Sequence, residues 1–152
     1  MIRFVKPTVK DISAMQELVL EDVANGNILV RNESEMATTI RSYTVAYKDE
    51  VLVGFVALHI HTPLLAEIRS LVVSSDLRGQ GIGQKLISHC INEAKQIDIS
   101  ELLVLTYQAK LFEKFDFKII EKSTIPDTKI WADCIKCKHF PICDEVALTL
   151  KI

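Results

Sequence analysis

Between the β-branched run Leu71-Val72-Val73 and the run Gln84-Lys85-Leu86-Ile87-Ser88-His89-Cys90-Ile91, the chain carries Arg78-Gly79-Gln80-Gly81-Ile82-Gly83. The apolar spacing is strand-like before this segment and helical after it, so it has to be a tight strand-to-helix loop. Glycines at 79, 81 and 83 let the main chain take positive φ and approach a ligand closely. The first-turn N–H groups of the following helix, together with its dipole, favour negative charge. A phosphate or pyrophosphate is the expected guest.

The rest of the chain builds around that unit. Ile2 to Val5 reads as a short strand, and Thr8 with Asp11 three residues on gives a capping signature for a helix through Ile12, Met15, Leu18, Val19 and Val23, stopped by Asn25-Gly26-Asn27. Asn32 caps a second short helix through Met36 and Ile40, which places Arg31 in the connection. Thr44 to Tyr47 and Val51 to Leu58 flank the polar turn Lys48-Asp49-Glu50 as a β-hairpin. Leu64 to Val73 forms a strand, and a helix runs on to about Lys95. Leu102 to Thr106, Ala109 to Phe115 and Phe117 to Ile120 then read as strand, helix and strand. Glu145 to Leu150 alternates as a terminal strand, after a covering loop at about 123–144 that is too long to lack a role.

With 152 residues, a single domain over 1–152 is expected, large enough to bury its own core. A net charge of −2 offers nothing to a polyanion, so nucleic acid is excluded as a partner. No apolar run approaches membrane-spanning length and the N-terminus lacks a leader's apolar core, so no membrane partner is expected and a cytoplasmic location is.

Spacing separates the kinds of phosphate loop. A Walker loop would need a lysine and hydroxyl pair after its last glycine, and a dinucleotide fingerprint would need its third glycine at Gln84. Neither fits. What remains is Arg/Gln-x-x-Gly-x-Gly/Ala, met by Arg78, Gly81 and Gly83. This resembles the acetyl-CoA pyrophosphate loop of the GCN5-related N-acetyltransferases. The order strand, loop, helix, strand, short helix, strand, through Leu111-Phe112-Glu113-Lys114-Phe115-Asp116-Phe117, is similar as well. The resemblance implies a mixed α/β fold with a central, mostly antiparallel twisted sheet splayed at the acetyl-CoA site and helices on both faces. It also implies acetyl-CoA as co-substrate, held by Leu71, Val72, Val73, Arg78, Gly79, Gln80, Gly81, Ile82 and Gly83.

Leu29-Val30-Arg31, Ala66 to Val73, Leu105-Thr106-Tyr107 and Lys129 to Cys137 narrow the likeness to short, stand-alone amino-acid N-acetyltransferases that act as N-acetylglutamate synthases of arginine biosynthesis. That similarity implies acceptor contacts from Leu29, Arg31, Glu67, Ser70 and Thr106. A guanidinium such as Arg31 can grip a carboxylate in a two-pronged fashion, and Lys136 or Lys138 could supply a second cation. The acceptor stays open to another small amine or a protein N-terminus, and a non-catalytic acyl-CoA-binding regulator is the alternative from a different class. Self-association as a homodimer is compatible with this reading.

Acyl transfer to an amine needs a polarised carbonyl, a deprotonated ammonium and a released thiolate. Backbone N–H near Leu71 is expected to polarise the carbonyl. Glu67, four residues before Leu71, should by period two share a sheet face with it and serve as base, directly or through a water. Many relatives have tyrosine where Phe112 stands, so Tyr107 or water is the candidate acid. Asp116 stands where relatives have glycine and should tolerate left-handed geometry. His59 and His61 share one face, with a solvated strand edge their expected setting; Cys90 should be buried in packing. Cys134, Cys137, His139 and Cys143 form a candidate tetrahedral zinc set, against the reading of three reduced thiols on a loop.

Overall fold

The computed structural model describes residues 1–24, 31–125 and 145–152. Seven strands form one sheet in the order β1-β2-β3-β4-β5-β7-β6. They are β1 (Ile2–Val5), β2 (Tyr43–Lys48), β3 (Val51–Ile60), β4 (Leu65–Val73), β5 (Glu101–Thr106), β6 (Lys118–Ile120) and β7 (Val146–Lys151). Every pairing is antiparallel except β4 with β5. Four α-helices are described: α1 (Ile12–Ala24), α2 (Glu33–Thr38), α3 (Ile82–Gln96) and α4 (Ala109–Glu113).

Local signals in the sequence set these boundaries. The Thr8 side chain accepts from Lys10 N at 3.3 Å while Thr8 N donates to Asp11 Oδ2 at 2.7 Å, so two donors orphaned at the helix entrance are satisfied reciprocally. Asn32 and Glu35 repeat the device at α2. Asp49, in the β2–β3 turn, and Asp116, ahead of β6, both take positive φ, at 56° and 71°, a conformation that aspartate tolerates better than most residues.

Helices cover both faces. On one, α3 buries Ile82, Leu86, Ile87, Cys90 and Ala94 against Val56, Ile68 and Val104, with Phe112 of α4 and Phe117 beside them. Each such aliphatic side chain removed from water stabilises the fold by about 1.5–3 kcal/mol. On the other face Ile12 and Met15 of α1 and Met36 of α2 pack on Val45, Phe55, Ala57 and Val72. Gly54 is what lets the first layer close. A Cβ there would stand 2.9 Å from Val72 O and 3.3 Å from Leu86 Cδ1. No helix among the described residues is long and apolar enough to cross a membrane.

Candidate active site

Strand β4 is irregular where the site forms. Ala57 pairs with Arg69, but Phe55 pairs with Val72, so Ser70 and Leu71 together stand opposite Val56. Two residues against one is a β-bulge, and Ser70 carries its strain at φ 59°. The bulge reverses the side-chain alternation. Ala66 and Ile68 before it, and Leu71 and Val73 after it, face the α3 layer, whereas Val72 faces α1 and α2. Glu67 and Arg69 therefore face the α1/α2 side and Leu71 the opposite one. This corrects the period-two expectation that Glu67 and Leu71 share a face, since that reading assumes an unbroken strand.

The parallel ladder between β4 and β5 covers only Leu65–Glu67 against Glu101–Leu103. Beyond it the strands diverge, and a cavity of about 150 Å³ opens among Arg69, Ser70, Leu71, Thr106, Tyr107 and Gln108. Leu71 and Gln108 also line a larger groove of about 490 Å³ that runs under the glycine loop, past Val73, Arg78, Gly79, Gly81, Gly83 and Lys114. The two cavities thus meet at Leu71. A long cofactor can lie with its phosphates at the loop and its reactive end in the splay.

Loop geometry matches the sequence at two of its three glycines. Gly79 and Gly81 take φ of 83° and 84°, and Gly81 caps α3. Gly83 lies inside the first turn of α3 without positive φ, and a Cβ there would meet Val73 Cγ2 at 3.7 Å, which is ordinary contact. Its value is the room it leaves in the groove, not backbone freedom. Arg78 Nε donates to Val73 O at 3.3 Å, tying the loop back to β4. Val72 and Ile82 also line the groove; Gln80 does not.

Glu67 is 1% exposed and lines neither cavity. Its Oε1 lies 2.8 Å from His61 Nε2, with both side chains buried. His59, opposite Glu67 in register, packs edge-on against His61 with ring centroids 4.7 Å apart. The histidines expected on a solvated edge are instead gathered around the buried carboxylate, because β4 lays Glu67 directly across from His59.

A second polar group lies one row along the same face. Tyr43, Ala57 and Arg69 are register partners across β2, β3 and β4, and the small Ala57 leaves space between the outer two. The Tyr43 phenol is held above its usual pKa by burial, while the positive charges of Arg31 and Arg69 and a hydrogen bond from Thr39 pull it back. Both guanidiniums therefore act on one phenol. Arg31 is half-buried with its Nε buried, and its carbonyl accepts from Gln16 Nε2 at 3.3 Å, which fixes it to α1.

Tyr107 lines the smaller cavity, as does Thr106, whose hydroxyl accepts from Gln108 N at 2.9 Å. Phe112 is buried at the base of the same cavity, edge-on to Phe117. Gln108, Leu111 and Lys114 were not singled out from the sequence; their spacing of three along α4 is the signal that could have placed them on one face over the groove. Cys90 is buried and its thiol is pushed up to about 12 by burial and the nearby Glu93. Leu29, Lys136, Lys138 and the zinc set Cys134, Cys137, His139 and Cys143 lie outside the described residues. Among the described residues no three His, Cys, Asp or Glu side chains are grouped to hold a metal.

The chain is similar in sequence and fold to known proteins. The acetyltransferase (GNAT) family model matches residues 15–117. An uncharacterized N-acetyltransferase of Chlorobaculum tepidum is 35% identical over 139 residues, covering 91% of this chain and 88% of that protein. An amino-acid acetyltransferase of Pasteurella multocida is 30% identical over 124 residues, covering 80% of this chain; the chain spans only 28% of that longer protein. In structure, the N-acetylglutamate synthase of Neisseria gonorrhoeae complexed with coenzyme A and N-acetyl-glutamate superposes with a TM-score of 0.89 at 22% identity, over 99% of this chain and 35% of that one.

Proposed function

The chain belongs to the acetyltransferase (GNAT) family and is an acetyl-CoA-dependent N-acetyltransferase, and on that premise we propose that its acceptor is the α-amino group of L-glutamate, as in the first step of arginine biosynthesis. The observation that carries the choice of acceptor is that Arg69 lies in register with the buried Tyr43 across Ala57, where its charge and that of Arg31 both bear on the phenol. Glutamate brings two carboxylates, and two half-buried cations suit them. Arg69 supplies a second cation, the part for which Lys136 and Lys138, outside the described residues, are the other candidates. Likeness to the Pasteurella enzyme and to the gonococcal synthase supports the same acceptor class.

In this reading acetyl-CoA lays its pyrophosphate on the amides of Arg78 to Gly83, with Lys114 across the groove, and its thioester in the splay at Leu71. The acceptor ammonium passes a proton through a water to Glu67, and its nitrogen attacks the thioester carbon. Backbone N–H at the Ser70–Leu71 bulge stabilises the tetrahedral oxyanion. As the C–S bond breaks, Tyr107 protonates the departing thiolate and is reprotonated by the second proton that the nitrogen loses. One proton is released overall. Ser70 and Thr106 line the path of the acceptor.

Glu67→Gln should lower turnover about 10²- to 10⁴-fold, the usual contribution of a general base, with acetyl-CoA binding retained. Arg31→Ala should raise the KM for glutamate about ten- to hundredfold, the loss of a charge-assisted contact, and spare that for acetyl-CoA. Unchanged turnover in the first variant would reject the base, and a shift confined to acetyl-CoA in the second would reject the acceptor role of Arg31.

A further inference from the structure

A base that works every turnover must lose its proton every turnover, and Glu67 is 1% exposed. Deprotonating an ammonium in a buried site leaves a proton on the carboxylate that bulk water cannot collect directly. His61 Nε2, 2.8 Å from Glu67 Oε1, can both accept a proton and pass one on. A histidine carries two ring nitrogens, so a proton taken at one can leave from the other. The His61 main chain sits at the end of β3 beside the exposed Thr62, Pro63 and Leu64 turn, and half-buried His59 packs edge-on against its ring.

We propose that His61 is the positioning residue that orients Glu67 and conducts its proton out, with His59 holding the His61 ring. The proposal rests on the reading of Glu67 as base. Per turnover one proton moves from the acceptor nitrogen to Glu67 and then to His61 Nε2, the buried His61 ring passes one on to the half-buried His59 packed against it, which gives it to solvent, and all three residues return to their starting state. His59 on β3, Arg69 on β4 and Tyr43 on β2 share the sheet face of Glu67, and the charges of Arg31 and Glu35 bear on Tyr43 there.

His61→Gln separates conduction from clamping, because a glutamine amide can still donate to Glu67 but cannot carry a proton through. We expect kcat to fall about tenfold or more, within the range of acid–base contributions, with both KM values within about twofold and the melting temperature near that of wild type. Added imidazole buffer should restore kcat in a concentration-dependent way, while wild type responds little. His61→Gln with wild-type kcat at low buffer would overturn the relay. So would a lost kcat that imidazole does not restore, which is the behaviour of a clamp. Glu67→Gln is measured alongside: wild-type turnover there would remove the base itself, whereas its loss beside an unchanged His61→Gln would remove the relay alone.

Discussion

At the scale of single residues, the three glycines of the loop do different work. Gly79 and Gly81 hold φ near +83° with nothing within 4 Å of an added Cβ, so alanine there meets backbone strain alone, about 1–2 kcal/mol each. Gly83 is unstrained and looks into the groove. Gly83→Ala should therefore leave the melting temperature nearly unchanged while raising the KM for acetyl-CoA, and Gly81→Ala should lower both stability and cofactor affinity. Thermal melts paired with acetyl-CoA titrations check this; a destabilised Gly83→Ala would contradict it. The sequence pattern marked all three positions but could not distinguish them, since a motif records spacing and not φ. Arg31 stands out in the sequence as a candidate carboxylate ligand. Arg69 does not, because its partner Tyr43 is brought near only by pairing across two intervening ladders.

Among the elements, β4 carries the most information and was read least well. Its extent and that of its neighbours followed from alternation, turn residues and caps, and the bounds of β1, β2, β3 and α3 agree within a residue or two. The bulge at Ser70 left no such trace. Serine is unremarkable in a strand, and alternation read across positions 67–71 assigns a face to Leu71 that one extra residue reverses. The same bulge, with the β4–β5 ladder ending at Glu67 and Leu103, opens the cavity at Ser70 and Leu71, where strain is a common device of functional sites. Ser70→Gly should relieve it and be tolerated in folding, whereas Ser70→Val, β-branched at positive φ, should cost about 1–3 kcal/mol and suppress turnover. Denaturant unfolding of the two variants measures the difference, and equal stability would count against a strained bulge.

For the molecule as a whole, the sheet and its two helix layers set the response to pH. Cys90, in the α3 layer, is raised from 9.0 to about 12 by burial and the neighbouring Glu93. Tyr47, on the other side, is raised from 10.0 to about 12 by burial and its bond to Asp11. Both groups are held protonated by the fold, so the folded state binds these protons more tightly than the unfolded one. The stability they contribute is complete below about pH 9 and is lost as pH rises toward 12. Melting temperature should fall steadily over that window, with Cys90→Ala removing the earlier part of the decline. An unchanged slope in that variant would assign the alkaline loss elsewhere. The pH response could not be read from sequence, which shows a cysteine and a tyrosine but not their burial.

All of these parts serve one claim, that the splayed sheet joins an acetyl-CoA groove to a doubly cationic acceptor site. Its most direct test is release of coenzyme A thiol by the purified protein, followed with acetyl-CoA and each of the twenty amino acids in turn. Glutamate should give the highest kcat/KM, ahead of glutamine, which lacks the second carboxylate. Thiol release that is absent with every amino acid, or that favours acceptors without a side-chain carboxylate, would contradict it.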